Sequence, residues 1–150
     1  MLKVGDSAPE ITVHTDTGDD FRLSTLKGKR VVLYFYPKAD TPGCTVEACE
    51  FRDSAGEIAK KGAAVIGISP DKPTAQAKFK QKYDLNFTLL ADEEKAAAQA
   101  YGVWKEKNMY GHKSMGIERT TFVIGPDGKI EKIYGKVKAK GHAAAVLAAL

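Results

Sequence analysis

Two cysteines stand five residues apart, Cys44 and Cys49, in the stretch Pro37-Lys38-Ala39-Asp40-Thr41-Pro42-Gly43-Cys44-Thr45-Val46-Glu47-Ala48-Cys49. A cysteine reacts, or binds a metal, as its thiolate. The residues before Cys44 favour that form. Thr41 is a good helix N-cap, and Pro42 suits a first helical position because its missing N–H would find no partner there. Cys44 then falls third in the helix, where free backbone N–H groups and the positive end of the helix dipole stabilise an anion.

Cys49 lies on the same expected helix. Five residues give a rise of about 7.5 Å and a rotation of about 140°, so the Cα atoms stand roughly 8–9 Å apart. A disulfide needs about 4.4–6.8 Å. An intact helix therefore cannot carry a Cys44–Cys49 bond, which argues against a permanent bridge and for one formed during turnover by unwinding of the first turns. Blander readings stay open at this level. Cys44 precedes Ala48 by four residues on the apolar face and could be a small core residue, and Cys49 taken alone could be inert. Zinc is disfavoured because His14, His112 and His142 are scattered, without the short ligand spacing expected beside a cysteine pair. The histidines read as surface or turn residues.

Arg119 opens the apolar run RTTFVI. A charge in such a place is costly unless paired. Its expected partner is an anion, either a carboxylate such as Glu47 or Glu50 or the Cys44 thiolate. Lys38 and Arg52 read as solvated. Tyr101, Trp104 and Tyr110 read as a packed aromatic group in preference to a pocket lining.

The elements that position these residues follow from pattern. Glu10–His14 and Phe21–Leu23 read as strands joined by the turn-rich TDTGDD. Arg30–Tyr36 (RVVLYFY) and Ala63–Ser69 (AAVIGIS) are continuous apolar runs of the kind buried on both faces of a sheet. Between them, Ala48, Phe51, Ala55 and Ile58 repeat at steps of three and four, predicting a helix over Pro42–Lys60 closed by Gly62. A helix from Pro73 to about Tyr83, a strand over Phe87–Leu90 and a helix over Glu93–Tyr101 follow. Strands over Arg119–Ile124 and Lys129–Tyr134 flank the turn Pro126-Asp127-Gly128, and an alanine-rich helix ends the chain. Alternating buried strands and helices predict an α/β fold, with a sheet made mixed by the late hairpin.

Composition narrows the function classes. At 150 residues, with 43% apolar and 28% charged residues, the chain suits one globular domain spanning residues 1–150. A net charge of +4, from 23 basic and 19 acidic residues, is far from a nucleic-acid-binding tail. The local basic stretch Lys129–Lys140 reads as a solvated strand and loop in preference to a phosphate site. No run approaches the roughly 20 apolar residues of a membrane span, and MLKVGDSAPE lacks the apolar core of a secretory signal. Two cysteines make no disulfide scaffold, so a reducing cytoplasm is the expected compartment.

Taken together, these motifs resemble those of the peroxiredoxins. Pro37-x-x-x-Thr41-x-x-Cys44 is similar to the family's active-site motif, and Arg119 before Thr-Thr-Phe to its second element. The runs YFYPKADTPGCTVEACEFRD, YGVWKEKNMYG and GIERTTFVIGPDGKI resemble the bacterioferritin comigratory protein or peroxiredoxin Q subfamily, a likeness covering essentially the whole chain. The resemblance implies a thioredoxin-like fold with an N-terminal β-hairpin extension. It implies a peroxidatic Cys44 and a resolving Cys49, with Pro37 shielding the site, Thr41 holding peroxide oxygens and Arg119 stabilising the thiolate. It further implies a monomeric peroxidase that uses no metal, haem or flavin, reduces hydroperoxides and is recycled by thioredoxin or a similar dithiol. The competing expectation is a thiol–disulfide exchange protein acting on protein disulfides, which the absence of a C-x-x-C pair disfavours.

Overall fold

The computed structural model describes residues 1–150, apart from the side chain of Met109. The chain begins with the expected hairpin, β1 (Thr12–Thr15) and β2 (Asp20–Arg22), and a 3-10 turn over Leu23–Leu26. Then come β3 (Arg30–Phe35), α1 (Pro42–Lys60), β4 (Ala63–Ser69), α2 (Pro73–Tyr83), β5 (Thr88–Ala91) and α3 (Ala96–Ala100). A second hairpin, β6 (Trp104–Met109) and β7 (His112–Ile117), precedes β8 (Thr120–Ile124), β9 (Ile130–Tyr134) and α4 (His142–Ala149).

Seven strands form one sheet in the order β2-β1-β5-β4-β3-β8-β9. The central strands β3, β4 and β5 run parallel, as strands joined by crossover helices must. β8 joins β3 antiparallel, with Phe35 opposite Thr120, and β9 joins β8 antiparallel. On the other side β1 pairs with β5 antiparallel, so the N-terminal hairpin extends the sheet. The sheet is mixed, as expected.

The sheet separates two apolar cores, and β3 feeds both because its side chains alternate across the pleat. Val31, Leu33 and Phe35 pack with Ile66, Ile68, Ala97, Ala98, Tyr101 and Phe122. Val32, Tyr34 and Tyr36 pack with Cys44, Ala48, Phe51, Ile58, Phe79 and Val146. α1, α2 and α4 thus cover one face and α3 the other. Tyr34 stacks on Phe51 of α1 with ring centroids 4.7 Å apart, fixing the helix that carries both cysteines against the central strand.

Two elements depart from expectation. α3 starts three residues later than Glu93, because the buried Asp92 carboxylate accepts the N–H groups of Ala97 and Ala98 and Lys95 takes a left-handed backbone (φ +60°) just before the helix. The hairpin of β6 and β7 was not anticipated. Met109 pairs with His112 around a two-residue turn in which Tyr110 and Gly111 both have positive φ, the geometry that suits twisted strands. Tyr in place of the usual Asn or Asp hid that signal. The turn also leaves Tyr110 fully exposed, while Tyr101 packs against Phe35 and Phe122 as expected.

Candidate active site

The candidate site forms where β3 gives way to α1. Tyr36 closes the strand by donating its N–H to the Ile68 carbonyl, and Pro37 turns the chain away from the sheet. The loop that follows is pinned from α2 and the preceding loop. The Asp71 carboxylate accepts the Ala39 N–H at 2.7 Å. Asp40, in a left-handed conformation, accepts from the Lys82 ammonium and the Tyr83 hydroxyl. Beneath them runs a buried chain in which the Tyr36 hydroxyl donates to Gln76 and Gln76 donates to Ser69, whose hydroxyl bonds Asp71.

Thr41 occupies the N-cap position of α1, but its hydroxyl does not cap the helix. It donates instead to the Lys38 carbonyl at 2.8 Å. The first-turn N–H groups of Gly43 and Cys44 therefore receive no side-chain cap, and Cys44 sits third in the helix, as expected, 1% exposed.

Arg119, between β7 and β8, resolves the choice left by the sequence by reaching both Cys44 and Glu47. One guanidinium nitrogen stands 3.4 Å from the Cys44 sulfur, and the other donates to a Glu47 carboxylate oxygen at 2.6 Å. Burial disfavours the charge on Arg119, but Glu47 and Cys44 outweigh it and the guanidinium holds its proton more tightly than usual. Gly43 makes this approach possible, since a Cβ there would lie 3.2 Å from the Arg119 guanidinium. Glu50, the other candidate carboxylate, accepts the Gly141 N–H before α4.

Glu47 is fully buried, and its second oxygen has no hydrogen-bond partner. Burial pushes its carboxyl up to about 7, with Arg119 only partly offsetting the effect. The signal in the sequence was an acid three residues after Cys44, on the helix face that also carries Ala48 and Phe51.

Cys49 is half-buried five residues further along α1, and both thiols are free. Arg52 is not simply solvated, because one guanidinium nitrogen lies 3.8 Å from the Cys49 sulfur and donates to the Tyr83 carbonyl at 2.7 Å. The Arg52 carbonyl in turn accepts from the Asn86 amide. These bonds fasten α1 just beyond Cys49. His142 also departs from expectation: it is buried, bonds the Thr121 hydroxyl at 2.7 Å and, chiefly through burial, has its pKa lowered to about 4. Among the described residues, no three His, Cys, Asp or Glu side chains gather as metal ligands, and no helix is long and apolar enough to cross a membrane.

The AhpC/TSA family profile matches residues 4–133. A putative peroxiredoxin bcp of Coxiella burnetii is 51% identical over 149 residues, covering 99% of each chain. Peroxiredoxin Bcp of Bacillus subtilis is 48% identical, covering 99% of this chain and 95% of its own. Among solved structures, a mutant of Xylella fastidiosa PrxQ superposes with a TM-score of 0.94 at 33% identity, over 99% of this chain and 95% of that one. The bacterioferritin comigratory protein of Xanthomonas campestris, a protein with alkyl peroxide reduction activity, superposes with a TM-score of 0.89 at 40% identity, over 93% and 88%.

Proposed function

The chain belongs to the AhpC/TSA family, in its bacterioferritin comigratory protein or peroxiredoxin Q branch, and from that premise we propose that it is a two-cysteine peroxidase with Cys44 peroxidatic and Cys49 resolving. As a peroxiredoxin of thioredoxin-like fold it is a thiol peroxidase, with a hydroperoxide as substrate and a reductant to complete the cycle. The observation that carries the finer reading is the fork of Arg119 between Cys44 and Glu47 at the first turn of α1.

The chemistry follows from which atoms are left to act. Thr41 has its own proton committed to the Lys38 carbonyl, so its oxygen is an acceptor for a hydroperoxide O–H. Arg119 and the uncapped N–H groups of the first turn donate to oxygen as negative charge develops, the role of an oxyanion hole. The Cys44 thiolate attacks the terminal oxygen. The S–O bond forms, the O–O bond breaks, and water or an alcohol leaves after taking up a proton. Pro37 closes the site behind the strand.

The second half of the cycle moves the chain. α1 unwinds over its first turns, the Cys49 thiolate attacks the Cys44 sulfenic acid, and the sulfur–sulfur bond forms as the S–O bond breaks and hydroxide leaves, taking up a proton from solvent to become water. The clamp of Arg52 on Tyr83 limits the unwinding to the residues before it. Thioredoxin or a similar dithiol then reduces the bond and restores both thiols. The near-complete burial of Cys44 favours a small peroxide over a protein disulfide as its first partner. The cycle is proposed for a monomer, one domain spanning residues 1–150, in the cytoplasm.

Counting free thiols seconds after one equivalent of hydrogen peroxide tests the proposal. A fall from two thiols to none, at the mass of one chain, is expected. Two thiols persisting for minutes would refute it.

A further inference from the structure

Beside the two cysteines lies a basic loop that the peroxidase chemistry leaves unused. Residues 135–141 run from β9 to α4 and are held at both ends by the site. The Val137 N–H donates to the Arg119 carbonyl at 2.9 Å, and the Gly141 N–H donates to the carboxylate of Glu50, the residue after Cys49, at 2.8 Å. Along this loop Val137 and Ala139 are half-buried, while Lys136, Lys138 and Lys140 are exposed. Among the described residues none of the three takes part in an ion pair.

Glu50 is engaged by the loop itself, and Asp53 on the same helix pairs with Arg52. On α1, Val46 stands one turn before Glu50 on the same helix face and is 42% exposed, unusual for an apolar side chain beside a reactive centre. An apolar spot next to the sulfurs with a one-signed charged rim is the anatomy of a protein interface. Three lysines over five residues are also too widely spread for a single small carboxylate.

We infer that Lys136, Lys138 and Lys140 form, with Val46, the docking surface for the reductant, and that this reductant is a dithiol protein whose reactive cysteines are rimmed by acidic residues. The inference rests on the peroxidase cycle proposed above. The lysines act by steering and holding the partner while its thiolate attacks the Cys44–Cys49 bond, so they affect the encounter and not the chemistry at Cys44.

The test compares wild type with the triple variant K136E/K138E/K140E, using peroxide turnover driven by a thioredoxin of net negative charge and, separately, by dithiothreitol. The variant should raise the KM for the acidic thioredoxin about tenfold or more and abolish the fall of kcat/KM with added salt that wild type shows. Turnover with dithiothreitol should be unchanged. Equal kcat/KM values for the thioredoxin in the two proteins would overturn the inference. So would a variant defect confined to the KM of a carboxylate-bearing hydroperoxide, which would make the loop a substrate guide. Failure of wild type to turn over with dithiothreitol would instead sink the peroxidase cycle itself.

Discussion

Arg119 reaches the Cys44 sulfur and the Glu47 carboxyl from one guanidinium, so the state of Glu47 governs how much of its charge Cys44 receives. On the proposed mechanism, replacing Arg119 by Gln removes a donor to the developing oxyanion and should slow Cys44 oxidation by about 100-fold or more, read by rapid-mixing fluorescence. The same change should cost stability in a pH-dependent way. At pH 8 it takes the counter-ion from a buried Glu47 that Arg119 helps to ionise, and forcing that carboxyl to stay unpaired or to take up a proton costs up to about 3 kcal/mol. At pH 5, below the raised value of about 7, Glu47 is protonated and needs no counter-ion, so the loss in urea titrations should be clearly smaller. A pH-independent loss would show that Glu47 does not titrate in this range. At this scale the sequence was informative where a residue type was out of place, as Arg119 was at the head of an apolar strand. It was silent where the reason lay across space. Nothing local marks Gly43 as the residue that admits a guanidinium or the Tyr83 carbonyl as the group that holds Arg52.

Elements were legible wherever period and punctuation agreed. α1 and β4 have the expected bounds because proline opens the helix, glycine follows it and the apolar run of the strand is unbroken. α3 was overextended because Glu93 and Glu94 are good helix formers, a weak preference that the Asp92 carboxylate overrides. The hairpin of β6 and β7 escaped notice because its strands carry lysines and polar residues on both faces, with little alternation to read. The behaviour of α1 leads to a prediction at this scale. If Cys49 reaches Cys44 by unwinding, amides of residues 41–50 should exchange much faster in the disulfide form than in the reduced one. Amides after Arg52, anchored through Tyr83 and Asn86, should stay protected in both. Equal protection of residues 41–50 would rule the unwinding out.

At the scale of the whole molecule, fold class was readable but strand order was not, since the pairing of β1 with β5 and of β8 with β3 is set by packing across the sheet and not by any local pattern. Global stability carries a second consequence of burial. Glu47, raised from 4.5 to about 7, keeps a proton in the folded chain that the unfolded chain releases, so it makes stability fall as pH rises from about 4.5 to 7. His142, lowered from 6.5 to about 4, stays neutral in the folded chain while the unfolded chain protonates, so it makes stability fall as pH drops from about 6.5 to 4. The slopes oppose each other, each approaching about 1.4 kcal/mol per pH unit. Wild-type stability should therefore be nearly flat between about pH 5 and 6.5 in urea titrations. Glu47→Gln should rise with pH across that window and His142→Gln should fall; parallel profiles for the two variants would contradict the assignment. The placement of both sulfurs on a single helix has one more outcome, which belongs to concentration. The proposed cycle, closing within one ten-residue segment, borrows no thiol from another chain, so on that reading activity per mole of protein should stay constant on serial dilution, and a peroxidase of this design works as well when scarce as when abundant.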